Sequence, residues 1–232
     1  MSDVVVRCSG VTRTYQDNAV PVVALQGVDF VVKRGEFVSL AGPSGSGKTT
    51  LLNLIGGLDR PDSGTVEVDG VTLNDLSESE LSDLRLHQMG FVFQSYNLIP
   101  VLSAQENVEF IMQLQGVAAD ERRERASSLL KDLGLASMAG RRPGELSGGQ
   151  QQRAAVARAI VTNPVLLLAD EPSANLDSGT TQELLELLRT LNERQGVTII
   201  TATHDPMVMG YSKRQVNLRD GEIVEDNSSR AA

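Results

Sequence analysis

Residues 37–55 read FVSLAGPSGSGKTTLLNLI. An apolar run, Phe37 to Ala41, has the look of a buried strand, and Thr50 to Ile55 begins an apolar helical pattern. Between them lie Gly42, Pro43, Ser44, Gly45, Ser46, Gly47, Lys48, Thr49 and Thr50. Gly42, Gly47, Lys48 and Thr49 fill the fixed places of G-x-x-x-x-G-K-[ST], and a strand before and a helix after are the context that a phosphate-binding loop requires. Glycines let a backbone wrap an anion with its N–H groups turned inward. The helix adds unpaired N-terminal donors and the positive end of its dipole. Lys48 is placed to reach the β- and γ-phosphates, and Thr49 to ligate Mg²⁺. The motif by itself specifies a nucleoside triphosphate and no more.

A carboxylate pair follows from the next buried strand. Val165 to Ala169 is a continuous apolar run between two helical segments, the mark of a central parallel strand covered on both faces. Asp170 and Glu171 stand at its C-terminal edge, where ligands of open α/β sheets bind. Asp170 fits the metal opposite Thr49, and Glu171 fits the base that orients or deprotonates the attacking water. His204 follows a third such strand, Val197 to Ala202, and is placed to contact the γ-phosphate. Gln94, at the end of the strand Met89 to Phe93, is a candidate contact to metal or water. Ser147, Gly148, Gly149 and Gln150 precede a helix over 148–162 and form a second anion cradle. One nucleotide site does not need two cradles.

Outward from these motifs, short strands are expected at 3–8, 11–15, 28–32 and 64–68, forming an antiparallel sheet beside the nucleotide core. Residues 16–21 read as a loop and 227–232 as a frayed tail. Helices are expected at 76–86, where Ser77 and Glu80 make a capping box, at 104–114 behind Ser103, and at 120–133. In the last, Ala126, Leu129, Leu130 and Leu133 share one face. A closing hairpin is expected around Asp220 and Gly221. The fold expected is α/β: a P-loop core over 1–94 and 163–226 with an N-terminal antiparallel part, and an inserted helical subdomain over 95–162.

Composition narrows the function. The chain has 232 residues, 41% of them hydrophobic, one cysteine and two histidines. That supports a core but neither a disulfide framework nor a Cys/His zinc site. No apolar run approaches a membrane span, and no secretory leader is expected. The net charge of −9 argues against a nucleic-acid partner. With 3% aromatics, few rings are available to stack on a base.

Taken together, these motifs resemble the ATPase subunit of ATP-binding cassette (ABC) transporters, over about residues 3–226. The family's elements stand in order: Walker A at Gly42 to Thr49, Q-loop Gln94, signature Leu146 to Gln150, Walker B at Val165 to Asp170 with Glu171, D-loop Asn175-Leu176-Asp177, and switch His204. Tyr15 matches the aromatic that stacks on adenine. The resemblance implies ATP and Mg²⁺ as ligands, with Thr49, Gln94 and Asp170 at the metal. It implies a head-to-tail dimer in which Ser147 to Gln150, with Asp177, close on the neighbour's ATP, which accounts for the second cradle. It also implies a permease docked near 95–114 and a place on the cytoplasmic face of the cell membrane. Residues 52–70 and 91–108 are similar to the lipoprotein-release, macrolide-export and cell-division group. Ser173-Ala174 stands where that group usually has Thr-Gly. A soluble ATPase of the same superfamily, serving repair, translation or iron–sulfur assembly, is the alternative.

Overall fold

The computed structural model describes residues 3–17 and 20–228. The phosphate loop joins strand β3 (Phe37–Ala41), every residue of which is buried, to helix α1 (Lys48–Ile55). β3 lies inside a six-stranded sheet. Its neighbours are β8 (Thr198–Thr203) and β9 (Arg214–Arg219), both parallel to it. β7 (Leu166–Asp170) and then β6 (Met89–Val92) continue the parallel set, and β10 (Glu222–Ser228) closes the far edge antiparallel to β9. The buried parallel strands are rich in apolar residues because both faces of the sheet are covered, and the buried hydroxyls of Ser39 on β3 and Thr201 on β8 bond each other at 3.0 Å.

One face is covered by α1 and a second sheet. That sheet is antiparallel, in the order β2 (Val20–Lys33), β1 (Val4–Asp17), β4 (Ser63–Val68), β5 (Val71–Thr72). The core between the layers contains Val6, Leu25, Phe30, Leu51, Ile55 and Leu168. Cys8 belongs to it; burial, with the nearby Asp29 charge adding, pushes its thiol up to about 12, so it packs as a small apolar residue. On the other face, helices α5 (Gly148–Ile160), α6 (Ser178–Gln195) and α7 (Pro206–Tyr211) bury Val156, Ile160, Leu184, Leu188 and Val208 against Leu167 and Ile199.

α3 (Ala104–Leu114) and α4 (Ala119–Asp132) pack with α5 around a third cluster, including Val108, Met112, Leu130 and Ala157. α5 is thus shared: Val156 and Ile160 face the sheet, and Ala154, Ala157 and Val161 face the other helices. This inserted helical part, beside the antiparallel and parallel sheets, gives the expected fold class. The capping boxes of Ser103 with Glu106 and Ser147 with Gln150 are formed. So is that of Ser77 with Glu80, which opens α2 (Glu78–Gln88).

Several boundaries differ from expectation. β1 and β2 run through most of 16–21, with residues 18 and 19 outside the described part. Cross-strand pairing of Tyr15 with Val22 and Gln16 with Pro21 supplies hydrogen bonds that local polarity did not announce. Pro21 fits because β2 is an edge strand. Asn227 and Ser228 lie in β10 rather than in a tail, and residues 229–232 lie outside the described part. The expected closing hairpin is formed, but its first strand, β9, also pairs with β3.

Candidate nucleotide-binding and catalytic site

Two of the three glycines in the loop at 42–47 leave no room for a side chain. At Gly42 (φ 145°) an added Cβ would lie 2.2 Å from the Leu218 carbonyl oxygen, and at Gly47 (φ 102°) 2.5 Å from that of Ala24. Both positions combine a backbone conformation that L-residues avoid with a close approach of another strand. The Lys48 ammonium group donates to the carbonyls of Gly42 and Pro43, each at 2.8 Å, and its side chain is buried. The amine is thereby held over the concave side of the loop. Ser46 Oγ is buried without a hydrogen-bond partner, an unspent polar group inside the anion cradle.

A cleft of about 510 Å³ opens on this loop. Its walls are Tyr15, Val22, Ala24, Ser44 to Thr50, Gln94, Glu171, Ala174 and His204. Parallel strand order brings these together: β6, β7 and β8 end beside one another, carrying Gln94, Glu171 and His204 just past their C-terminal edges. The Thr49 hydroxyl donates to Asp170 Oδ1 at 3.1 Å. Burial pushes the Asp170 carboxyl above the usual carboxylate range, with the Glu171 charge adding to the rise, while the Thr49 hydrogen bond and Lys48 pull it down.

Glu171 is a non-glycine residue at φ 44°. Such a conformation is costly, and it turns the side chain out of the strand direction. Its Oε1 lies 2.7 Å from His204 Nδ1, and its Oε2 accepts from the Thr203 hydroxyl at 3.3 Å. The Glu171 side chain is 16% exposed and the His204 side chain 70%. The carboxylate is therefore fixed by the wall, and the ring stands at the mouth.

Not every expected residue reaches this cleft. Ser147, Gly148, Gly149 and Gln150 do not line it. Ser147 Oγ caps α5 by accepting from the Gln150 N–H (3.3 Å), and Gln150 Oε1 accepts from the Ser147 N–H (2.9 Å). The two glycines are close-packed: a Cβ on Gly149 would lie 2.3 Å from Thr180 Cγ2, and one on Gly148 3.0 Å from the Tyr96 hydroxyl. Asp177 also lies outside the cleft lining and caps α6 through the Thr180 N–H at 3.0 Å. Asn175 Nδ2 donates to the Gln94 carbonyl at 3.0 Å, so the segments carrying Gln94 and Asp177 are joined.

Three connections were not visible in the sequence. Ser173 Oγ donates to Asp205 Oδ2 at 2.9 Å, tying the segment after Glu171 to the one after His204. Arg158 on α5 donates to the carbonyls of Tyr96 and Asn97. Those two consecutive residues both have positive φ, which asparagine tolerates and tyrosine does not favour, and the guanidinium holds that turn. Arg13 and Asp59 surround Tyr15. Each link joins residues distant in sequence, and no local motif marks them.

The apolar loop 96–102 is split. Leu98 packs inward against the helical cluster, whereas Val101 is exposed. A wider apolar groove of about 540 Å³ lies beside it, lined by Leu58, Leu86, Phe91, Phe93, Ile111 and Leu114, with Arg158 at its wall. It accounts for two of the large exposed apolar side chains, Leu58 and Leu114.

No described helix is long and apolar enough to cross a membrane. The family model for ABC transporters matches residues 25–174. The chain is 45% identical over 229 residues to the uncharacterized ABC transporter ATP-binding protein MJ0796 of Methanocaldococcus jannaschii, covering 97% of both chains. It is 46% identical over 232 residues to the macrolide export ATP-binding/permease protein MacB of Hyphomonas neptunium, covering all of this chain but 36% of that one. It thus spans about a third of that ATP-binding/permease relative and nearly all of the single-cassette one. The solved dimer of MJ0796 in a post-hydrolysis state with ADP and Pi superposes with a TM-score of 0.91 at 44% identity, covering 98% of this chain. With a phosphate loop, Glu171 and His204 around one cleft, and with relatives matched along nearly its whole length, the chain belongs to the ABC transporter family as an ATP-binding, ATP-hydrolysing subunit.

Proposed function

We propose that two identical chains pair head to tail around two ATP molecules and drive a membrane partner seated in the apolar groove. The observation that carries this is the second cradle: Ser147 to Gln150 present a helix N-terminus outside the lining of the chain's own cleft. A second copy offers that cradle a γ-phosphate. Relatives support the reading. MJ0796 is described as a dimeric cassette, and MacB unites an ATP-binding part with a permease in one protein.

Within each cleft the roles divide by chemistry. Lys48 and the N–H groups of 42–47 hold the β- and γ-phosphates. Tyr15 stacks on adenine, with Val22 and Ala24 beside it. Glu171 accepts a proton from the attacking water, its carboxylate kept aimed by His204 at Oε1 and the Thr203 hydroxyl at Oε2. His204, bonded to Glu171, orients the base and stands beside the γ-phosphate. Thr49, Asp170 and Gln94 form an oxygen donor set that suits Mg²⁺. When bound, that ion offsets charge on the phosphates. Asp177 of the neighbour comes close to the same site. The groove at Leu58, Ile111 and Leu114 takes an apolar segment of a permease, which places the subunit on the cytoplasmic face of the cell membrane. Export, release or mechanical work on that permease follows the similarity to the macrolide-export group.

The test is the dependence of turnover on protein concentration. If catalysis needs a neighbour's cradle, the rate per chain rises with concentration until dimers saturate. A constant rate per chain down to the lowest measurable concentration refutes the paired site.

A further inference from the structure

Tyr15 is held by two groups on separate stretches of chain, Arg13 and Asp59, and Asp62 braces Arg13 and the Thr14 backbone in turn. The Arg13 guanidinium lies over its ring, 4.7 Å from the centroid. Arg13 is bidentate to Asp59, Nε to Oδ2 at 3.1 Å and Nη2 to Oδ1 at 2.9 Å, and its Nη1 donates to Asp62 Oδ1 at 2.9 Å. The Tyr15 hydroxyl donates to Asp59 Oδ2 at 2.8 Å, and the Thr14 N–H to Asp62 Oδ2 at 2.6 Å. Tyr15 lines the nucleotide cleft; Arg13, Asp59 and Asp62 do not. The ring therefore stands between a guanidinium behind and the cleft in front.

We infer that Arg13 and Asp59 are positioning residues for the nucleobase: they fix the Tyr15 ring as a rigid stacking platform and tie it to the segment that follows the phosphate-loop helix. This deepens the reading of Tyr15 as the adenine-stacking residue and rests on it.

Three physical points support the inference. An exposed tyrosine on a strand ordinarily retains rotamer freedom, which base stacking would have to remove. Here the stacked guanidinium and the hydroxyl bond to Asp59 have already removed it. An isolated surface ion pair would do little, but Arg13 and Asp59 are each about three-quarters covered, and the pair is bidentate. Asp59 also lies four residues beyond the last residue of α1, so one carboxylate links the base end of the cleft to the element carrying Lys48 and Thr49. Finally, the hydroxyl of Tyr15 is committed to Asp59, so the ring offers its face to the base and not a hydrogen bond to its edge.

Calorimetric titration of Arg13→Met, Arg13→Lys, Tyr15→Ala and the double variant Arg13→Met/Tyr15→Ala, with MgATP and with Mg-tripolyphosphate, tests this. Tripolyphosphate has no base, so it reports the phosphate loop and the integrity of the fold. Tyr15→Ala should weaken ATP roughly tenfold, the usual worth of one base stack, and leave tripolyphosphate unchanged. Arg13→Met should weaken ATP by about three- to tenfold, again sparing tripolyphosphate, with KM raised and kcat held. Arg13→Lys should resemble Arg13→Met, because a point charge cannot reproduce the fork. The double variant should match Tyr15→Ala, since both changes remove one platform. Equal loss of ATP and tripolyphosphate in Arg13→Met, unchanged ATP affinity, or full additivity with Tyr15→Ala overturns the positioning role. A Tyr15→Ala protein with wild-type ATP affinity overturns the stacking assignment itself, and the inference with it.

Discussion

Glu171→Gln isolates the proposed catalytic base from everything else in the cleft. The substituted residue has nearly the same shape and retains an amide oxygen for the Thr203 hydroxyl or His204, the two partners of the carboxylate. What it loses is basicity. Positioned acid–base catalysis is worth about 10²–10⁴ in rate, so the chemical step should slow by that factor, roughly 3–5 kcal/mol at 1.36 kcal/mol per tenfold. ATP affinity should persist, because Lys48, Thr49 and Asp170 are untouched. With ATP bound and hydrolysis slow, the closed dimer accumulates, since a ligand stabilises whichever state binds it better. Phosphate release measures the rate, and light scattering with and without ATP measures the mass. Ser147 supplies the control. Ser147→Arg fills the cradle but also removes the α5 cap, at a cost of about 0.5–2 kcal/mol. Ser147→Asp keeps a good cap and places a negative charge against the neighbour's phosphate. In the Glu171→Gln background both should abolish the ATP-dependent dimer, and Ser147→Asp should do so without loss of thermal stability. Wild-type turnover in Glu171→Gln refutes the base assignment. An ATP-saturated protein that stays monomeric at high concentration refutes self-pairing.

Further outcomes follow from single contacts. Lys48→Ala removes a charged donor buried in the loop and should weaken MgATP about 10–100-fold by titration, the worth of a hydrogen bond to a charged group. The raised carboxyl of Asp170 means that folding disfavours its ionised form, so its favourable contribution is present at acid pH and is lost as pH rises through the folded value. In the absence of nucleotide, Asp170→Asn should therefore melt higher than wild type near pH 7.5. The gap should shrink as pH falls toward the ordinary aspartate value of about 3.9; a constant gap across that range would contradict the burial effect. Leu58→Ser with Leu114→Ser alters two exposed side chains of the groove. It should leave Tm within a few degrees and basal turnover unchanged, while reducing co-purification with a co-expressed permease; full recovery would remove the groove from the coupling surface.

Much of this was legible along the chain, and for identifiable reasons. The phosphate loop is a local object: strand, glycine-rich turn and helix are contiguous, so residues 37–55 carry their own geometry. Asp170, Glu171, Gln94 and His204 could be placed because parallel strands put their C-terminal ends on one edge whatever their order. The helix start at Ser77 was readable because a capping box is satisfied within four residues, and the structure adds the same box at Ser103 and Ser147. α7 and β5 escaped notice because they are short elements stabilised by what they pack on.

The sequence alone determined that this chain binds a nucleoside triphosphate, that the strands carrying its site are parallel, and that a helix starts behind Ser147. Each rests on interactions closed within a few residues, or on the apolar periodicity that burial imposes. Only the tertiary structure decided that Glu171 is bonded to His204 across 33 residues, that Arg158 holds the turn at Tyr96 and Asn97 across 61 or 62, and that Asp59 binds Arg13 across 46 residues and Tyr15 across 44. It also showed that a groove lined by Leu58, Phe91, Ile111 and Leu114 lies beside the loop that follows Gln94. These features are side-chain contacts made after the strands have taken their register. Chain proximity does not encode them, because the groups involved meet only when the two sheets and the helical layer have packed.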